Sequence, residues 1–371
     1  MSKHSLTYQQ ESSIKLDKPV FATWLLNWYQ ANKRELPWRK TKDPYKIWLS
    51  EIILQQTRVA QGLPYYQRFI EQYPRIQDLA AAKEEEVLRL WQGLGYYTRA
   101  RNLHACARLV VSKLNGSFPK TYQELLQLIG IGQYTAAAIA SIAFKEPVPV
   151  VDGNVYRVLA RVFGVEADIS STHGKKIFYA LAQSLIDPHC ADDYNQAIME
   201  FGAIQCTPKP LCGTCIFQKH CIAFQTNKQQ YLPVKKSSVK IKQRFFHYFV
   251  MQLDNKLYMR LRKDADIWQG LYDFYLVEDT QLRGIEELED ELVSLISHHK
   301  LVVTKNDKIY KHLLTHRQLY VHFFHVQATQ QFIVEAKQLL EQSHNKAFML
   351  EATNNLPKPT LISNFLADNF T

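Results

Sequence analysis

Leu128-Ile129-Gly130-Ile131-Gly132-Gln133-Tyr134-Thr135-Ala136 is the stretch on which the fold turns. An apolar helix ends in Gly-Ile-Gly and a small-residue helix starts at once. Two glycines flanking one aliphatic residue let backbone N–H groups and a helix N-terminus face outward with no side chain in the way. Such a surface suits an anion, a phosphate included. The same letters also describe a plain turn between two helices whose glycines supply positive φ. A second turn of the same kind, Gly93-Leu94-Gly95-Tyr96-Tyr97, precedes Arg99 and Arg101. Two such turns opening helices in one basic region favour phosphate binding.

The surroundings are helical in period. Trp48, Ile52, Val59, Leu63, Tyr66 and Ile70 recur at three- or four-residue steps over 47–70, with a break expected near Gly62-Pro64. Similar periods run over 85–92, 101–114, 121–129, 134–144, 155–164 and 175–186, and no β-alternation of any length appears before residue 230. The chain has 371 residues, 46% hydrophobic and 22% charged, with only 13 Gly and 14 Pro. That excludes disorder as the main state and low-complexity architecture, and it suggests two or three domains. No apolar run reaches the length of a membrane span, and the polar stretch Met1–Lys18 does not read as a secretory signal. The net charge of +10 favours a polyanionic partner without identifying it.

Two carboxylates stand where chemistry is possible. Val150-Val151-Asp152-Gly153-Asn154 delivers Asp152 to the start of a helix. Asp is a favoured N-cap there, and the helix N-terminus should keep it ionised. An ionised carboxylate near a sugar C1′ stabilises an oxocarbenium ion. Glu51, in Trp48-Leu49-Ser50-Glu51-Ile52-Ile53-Leu54-Gln55-Gln56-Thr57, lies on or beside an apolar helix face. Desolvation there favours the neutral acid and makes it a candidate proton donor. A salt-bridged helix-edge role, with Arg58 as partner, is the alternative. One carboxylate held ionised and one kept protonatable is an arrangement that cleaves glycosidic bonds.

Four of the six cysteines, Cys206, Cys212, Cys215 and Cys221, fall within 16 residues. One tight loop with a single C-x2-C favours an iron–sulfur cluster over zinc, and the metal reading over disulfides. Residues 226–247 then carry six basic side chains and no acidic ones (Lys228, Lys235, Lys236, Lys240, Lys242, Arg244), together with Pro233 and a Ser-Ser pair. This reads as a linker, either a solvated tether or one that tracks phosphates. Beyond it, Phe245–Leu253, Lys256–Leu261, Leu271–Val277, Leu301–Thr304 and Gln318–Gln327 read as strands, and 284–297, 332–342 and 360–370 as helices.

In this order the motifs resemble the helix–hairpin–helix DNA glycosylase superfamily, and within it the MutY-type adenine glycosylases. The resemblance spans roughly 20–225. It rests on Leu36-Pro37-Trp38-Arg39, Ser50–Thr57, Gly93–Tyr97 with Arg99-Ala100-Arg101-Asn102-Leu103, Gly130–Ala136, Val151–Val155 and Glu200-Phe201-Gly202-Ala203 leading into the cysteines. A weaker likeness follows. Trp268-Gln269-Gly270-Leu271-Tyr272-Asp273-Phe274 is similar to a stretch of the family's Nudix-like domain. Leu313-Leu314-Thr315-His316 resembles its Phe-Ser-His loop, and the nucleotide-hydrolysing Nudix box is missing.

The resemblance implies a multidomain chain. An all-α helix–hairpin–helix glycosylase domain would cover 1–225, with an iron–sulfur cluster loop at 206–221. A basic linker over 226–245 and a Nudix-like α+β domain over 246–371, reading 8-oxoguanine, would follow. It implies a monofunctional enzyme that excises adenine mispaired with 8-oxoguanine or guanine in double-stranded DNA. By it Glu51 protonates adenine, Asp152 stabilises the cationic sugar and Asn154 helps position the site. Tyr134 occupies the position of the Schiff-base lysine of bifunctional relatives. Gln56 and Tyr96 wedge into the base stack, while Gly130 and Gly132 hold DNA and Thr315 and His316 meet the lesion. Arg34, Leu36 and Trp38 line the adenine pocket, and Cys206, Cys212, Cys215 and Cys221 ligate one [4Fe-4S] cluster. A monomeric, cytoplasmic protein with no membrane contact is expected, nucleoid-associated if bacterial. An endonuclease III-like glycosylase/lyase acting on oxidised pyrimidines and a non-catalytic DNA-damage binder are the alternatives. Three departures from the family pattern stand out. Five residues rather than six separate Cys206 from Cys212, Ile129 stands where Pro is common, and Leu-Thr-His replaces Phe-Ser-His.

Overall fold

A computed structural model describes residues 18–236, 241–284, 286–288, 301–306, 308–328 and 344–370. Its contacts divide the chain into two compact units, one from the described parts of Met1–Glu51 and Phe118–Ser237, the other from Ile52–Ser117 and Ser238–Thr371. No helix among the described residues is long and apolar enough to cross a membrane.

The first unit is helical. It holds α1 (Lys18–Asn32), a single 3-10 turn at Pro37–Arg39 and most of α2 (Pro44–Leu54). The α7 (Tyr122–Leu125), α8 (Gln133–Phe144), α9 (Gly153–Phe163), α10 (Thr172–Leu185), α11 (Ala191–Glu200) and α12 (Ile222–Gln225) helices also belong to it; α3 to α6, in chain order between α2 and α7, belong to the other unit. Phe21, Trp28, Val158, Phe178, Tyr194, Phe201 and Phe217 are buried in its core. Phe21 stacks on Phe217 at 4.8 Å, and Phe217 meets Phe201 edge-on at 5.2 Å. Because Phe217 lies between Cys215 and Cys221, this apolar contact anchors the cysteine loop. A π-turn at Phe201–Gln205 leads from α11 into that loop.

The second unit joins α3 (Val59–Gln72), α4 (Ile76–Ala81), α5 (Glu84–Leu90) and α6 (Thr98–Leu114) to a mixed sheet. The sheet's strands are β1 (Lys242–Leu253), β2 (Lys256–Leu261), β3 (Tyr272–Asp273), β4 (Tyr275–Asp279), β5 (Leu301–Lys305), β6 (Tyr310–Leu313), β7 (Arg317–Ala328) and β8 (Asn345–Met349). They run in the order β3-β2-β1-β7-β5, with β4 on β1, β6 on β7 and β8 on β2. Strands β1 and β7 are parallel from Lys242↔Arg317 to Gln252↔Gln327. The helices α13 (Leu350–Thr353) and α14 (Thr360–Phe370) follow the sheet, and Phe365 of α14 stacks on Phe323 of β7 at 3.8 Å.

Several expectations change. The helix break falls at Gln55–Arg58, not at Gly62-Pro64. Gln56 has φ 55°, whereas Gly62 and Pro64 lie inside α3. A Cβ on Gly62 would meet Leu54 Cδ2 at 2.8 Å, so this glycine serves a close approach and does not break the helix. The strand expected over Leu271–Val277 is interrupted at Phe274, and β6 and β8 were not anticipated. Nor is the start of the basic stretch at 226 a free tether. Leu232 is buried, its carbonyl accepts from Arg161 Nε at 3.1 Å, and the Ile169 amide donates to Val234 O at 3.0 Å. At its other end, residues 242–245 already belong to β1. The helices expected over 284–297 and 332–342 lie outside the described residues, apart from a 3-10 turn at Glu286–Leu288.

Candidate active site

Helix α2 is apolar on nearly all sides, with Ile47, Trp48, Leu49, Ile52 and Ile53 buried. Glu51 is carried into that environment and is only 7% exposed. Tyr134 sits in the first turn of α8, directly after the Gly132 N-cap, and its Oη donates to Glu51 Oε2 at 2.6 Å. Burial pushes the Glu51 carboxyl up to about 7. The Tyr134 bond and the charge of Arg39 pull it down, and the charge of Asp152 adds to the rise. Burial and the Glu51 charge also push the Tyr134 phenol well above its ordinary value, so it stays a donor. The expected desolvated acid is therefore present, with a tyrosine rather than Arg58 as its partner.

Asp152 caps α9 as its position demands. Its Oδ1 accepts from the Asn154 and Val155 amides at 2.9 and 2.8 Å, and its Oδ2 from Asn154 Nδ2 at 2.8 Å. A helix N-terminus by itself lowers a carboxyl, but burial here outweighs the bonds and moves the Asp152 carboxyl up. The three N–H donors are satisfied best by the ionised form. Asn154 Oδ1 in turn accepts from Arg157 Nη2 at 2.8 Å. Arg157 also donates from Nη2 to Gly202 O and from Nε to Cys206 O, both at 2.7 Å. Gly202 allows this contact, because a Cβ there would meet Asn154 Cβ at 2.7 Å.

Of the three expected pocket residues, Leu36 and Trp38 are buried at 5% and 8% exposure. Arg34 forks onto Glu200, with Nε–Oε1 at 2.8 Å and Nη2–Oε2 at 2.6 Å, and Arg39 makes a second fork onto the same carboxylate at 3.0 and 2.7 Å. Burial raises the Glu200 carboxyl, but the two guanidiniums win and hold it at about 2. The sequence reading assigned no role to Glu200, Arg39, Arg157 or Gly202. The spacing of Arg157, three residues after Asn154 on one helix face, was the available signal for that residue.

In the second unit, Arg99 donates to the carbonyls of Ile52, Ile53 and Gln55 at the end of α2, and to Leu94 O and Gly95 O. One guanidinium thus ties the turn bearing Gln56 to the turn bearing Tyr96. Both residues are left-handed, with φ 55° and 49°. Tyr96 Oη meets Thr315 Oγ1. Tyr96, Arg101, Trp268, His312, Thr315 and His316 line one cavity of about 480 Å³. His316 and Thr315 are exposed, and the His316 carbonyl accepts from the Lys242 amide at 3.0 Å.

Gly130 has φ 73°, and Gly132 opens α8 with extended backbone and nothing within 4 Å of where a Cβ would be. The Gly132 position is therefore open, beside Ile129 and Gly130, which are both exposed, whereas Ile131 is buried. Cys206, Cys212, Cys215 and Cys221 are free of disulfides and line a single small cavity with Val162, Phe201 and Phe224. Among the described residues no three Cys, His, Asp or Glu side chains close on one point as a single metal ion requires.

The profile described as HhH-GPD superfamily base excision DNA repair protein matches residues 49–185. An adenine DNA glycosylase of Buchnera aphidicola (subsp. Schizaphis graminum) is 35% identical over 285 residues, covering 76% of this chain and 82% of that protein. The chain belongs to the adenine DNA glycosylase family. Another member of the family, from Mus musculus, is 49% identical over 219 residues, which are 56% of this chain and 42% of the mouse protein. The chain thus spans less than half the length of that relative. Among solved structures, a thermostable thymine-DNA glycosylase superposes with a TM-score of 0.52 at 31% identity, covering 56% of this chain and 97% of that one. The fold is the HhH-GPD glycosylase fold, with a helical N-terminal region and a C-terminal region built on a sheet.

Proposed function

We propose that this chain is a monofunctional glycosylase excising adenine mispaired with 8-oxoguanine or guanine in double-stranded DNA. The observation that carries the reading is the Glu51–Tyr134 pair beside Asp152: a carboxyl poised near neutrality next to one that accepts three N–H bonds. Glu51 gives its proton to N7 of a flipped adenine. The C1′–N9 bond breaks with its electron pair leaving on the base, and Asp152 stabilises the cationic sugar. Water then adds to C1′ and gives up a proton, which restores the acid. Tyr134 has no amine for a Schiff base, so the product is an abasic site with the strand intact.

The exposed hairpin at Gly130 and Gly132 is suited to a DNA phosphate. Gln56 and Tyr96, held left-handed, are suited to wedge into the stack left by the flipped base. Leu36, Trp38 and the Arg34–Glu200 pair form the adenine-facing wall, and Thr315 and His316 belong to a Nudix-like reader of 8-oxoguanine. Cys206, Cys212, Cys215 and Cys221 would hold a [4Fe-4S] cluster. When bound it ties the 206–221 loop together, and no step of base release passes through it. The protein acts as a monomer in the cytoplasm.

The deciding experiment is a single-turnover glycosylase assay on duplexes with A opposite 8-oxoguanine, G, C and T. Release of adenine opposite the first two, without a borohydride-trapped adduct, is expected. A stoichiometric trapped adduct on an oxidised pyrimidine would transfer the chain to the lyase reading.

A further inference from the structure

Five residues separate Cys206 from Cys212, and the side chain bonded to the first turn of that loop is Arg161. It lies on α9, four residues after Arg157, and is 3% exposed. Its Nη1 donates to Thr207 O at 2.6 Å and to Cys206 Sγ at 3.5 Å. Its Nη2 reaches Pro208 O at 3.2 Å, and its Nε reaches Leu232 O at 3.1 Å. Arg161 also lines the cavity that the four cysteines share.

A buried guanidinium is costly unless an opposite charge meets it. Among the described residues its partners are four neutral groups, three carbonyls and one sulfur, with no carboxylate among them. The fork is spent on the first turn of the loop, and its charge faces the cysteine cavity. A group of net negative charge would complement that guanidinium, and an iron–sulfur cluster held by four thiolates has that charge.

We propose that Arg161 is a positioning residue for the cysteine site. It supplies the buried counter-charge, gives an N–H to the Cys206 sulfur and fixes the shortened Thr207–Pro208 turn that carries Cys206. The inference rests on reading the four cysteines as cluster ligands. Both a nearby positive charge and an N–H···S bond favour the reduced cluster, so Arg161 raises the reduction potential. The carbonyl bonds hold Cys206 in place and slow loss of iron.

The test uses the full chain, purified without oxygen, with iron per chain, iron release to a chelator and midpoint potential measured for the unaltered protein, Arg161→Lys and Arg161→Gln. Iron release severalfold faster in both variants is expected, with the potential falling in the order unaltered, Lys, Gln. Retention and potential equal to the unaltered protein in either variant overturn the proposal. Pulsed electron paramagnetic resonance of the reduced, unaltered protein with isotope-labelled arginine nitrogen needs no folded variant. A nitrogen coupling to the cluster supports the proposal, and its absence overturns it. Unaltered protein without iron overturns the cluster reading itself. Iron-loaded protein with no effect at Arg161 overturns only this inference.

Discussion

Tyr134 Oη donates to Glu51 Oε2 at 2.6 Å, linking the first turn of the helix after the Gly-Ile-Gly hairpin to the buried acid on α2. The bond favours the ionised carboxylate and so works against burial, which pushes the Glu51 carboxyl up to about 7. Removing it with Tyr134→Phe should raise that carboxyl further. The alkaline limb of the single-turnover rate, where the acid loses its proton, should then move to higher pH. A limb that stays put or moves down would show that Tyr134 does not set the acid.

Glu51 itself should cost stability at neutral pH. In the unfolded chain its carboxyl ionises near the ordinary 4.5, and in the fold only near 7. Between those values the unfolded chain has released a proton that the fold still holds, so stability falls as pH rises through this window and levels off above it. The linkage amounts to about 3 kcal/mol. Glu51→Gln should abolish adenine release while DNA binding survives. It should also be more stable than the unaltered protein at about pH 8 and alike at about pH 4. Urea melts across that range, read beside single-turnover assays, check both halves; unchanged cleavage excludes Glu51 as the proton donor.

Glu200 should show the opposite slope. Its carboxyl, gripped by Arg34 and Arg39, is held at about 2 rather than 4.5. Here the unfolded chain takes up a proton first as pH falls. The stabilisation, about 3 kcal/mol, is fully present above 4.5 and is lost as pH drops through 2. Glu200→Gln leaves two guanidiniums without their counter-charge and should destabilise the protein by about 3 kcal/mol or more near neutrality. The gap should close in acid. A constant gap across pH would mean that shape, not charge, sets the role of Glu200.

The legible part of this molecule is the part encoded locally. The N-cap at Asp152, the desolvated Glu51 and the paired glycines each sit in a short stretch that states its own geometry. What escaped the sequence is set by distant partners. Nothing in Met199-Glu200-Phe201 reveals that two arginines more than 150 residues earlier converge on that carboxylate. The end of α2 is fixed by Arg99 taking the carbonyls of Ile52, Ile53 and Gln55, and the Gly62-Pro64 pair, a breaker on paper, is carried within α3. Strands β6 and β8 are too short to show alternation and exist because β7 and β2 offer them edges. The basic stretch at 226 looks like a tether until Leu232 and Val234 are seen bonded to the helical unit.

The same distinction makes a prediction for Arg157. Its guanidinium spans Cys206 O and Asn154 Oδ1, and Asn154 holds Asp152, so the backbone of the first cysteine is joined to the Asp152 carboxylate through two side chains. Lysine keeps the charge at this position but cannot make both bonds at once. Arg157→Lys should therefore lower the rate of base release by up to about 100-fold, the cost of a misplaced catalytic group, with DNA affinity little changed. Asn154→Ser should act on the same link, so the double variant should be no slower than the worse single one. Gly202→Ala attacks the link from the other side. Its new Cβ would sit 2.7 Å from Asn154 Cβ and 2.9 Å from Asn154 O, so Asn154 must shift and take Asp152 with it. Additive effects of Arg157→Lys and Asn154→Ser in single-turnover kinetics would show that the two residues act separately and that the bonded path carries no positioning.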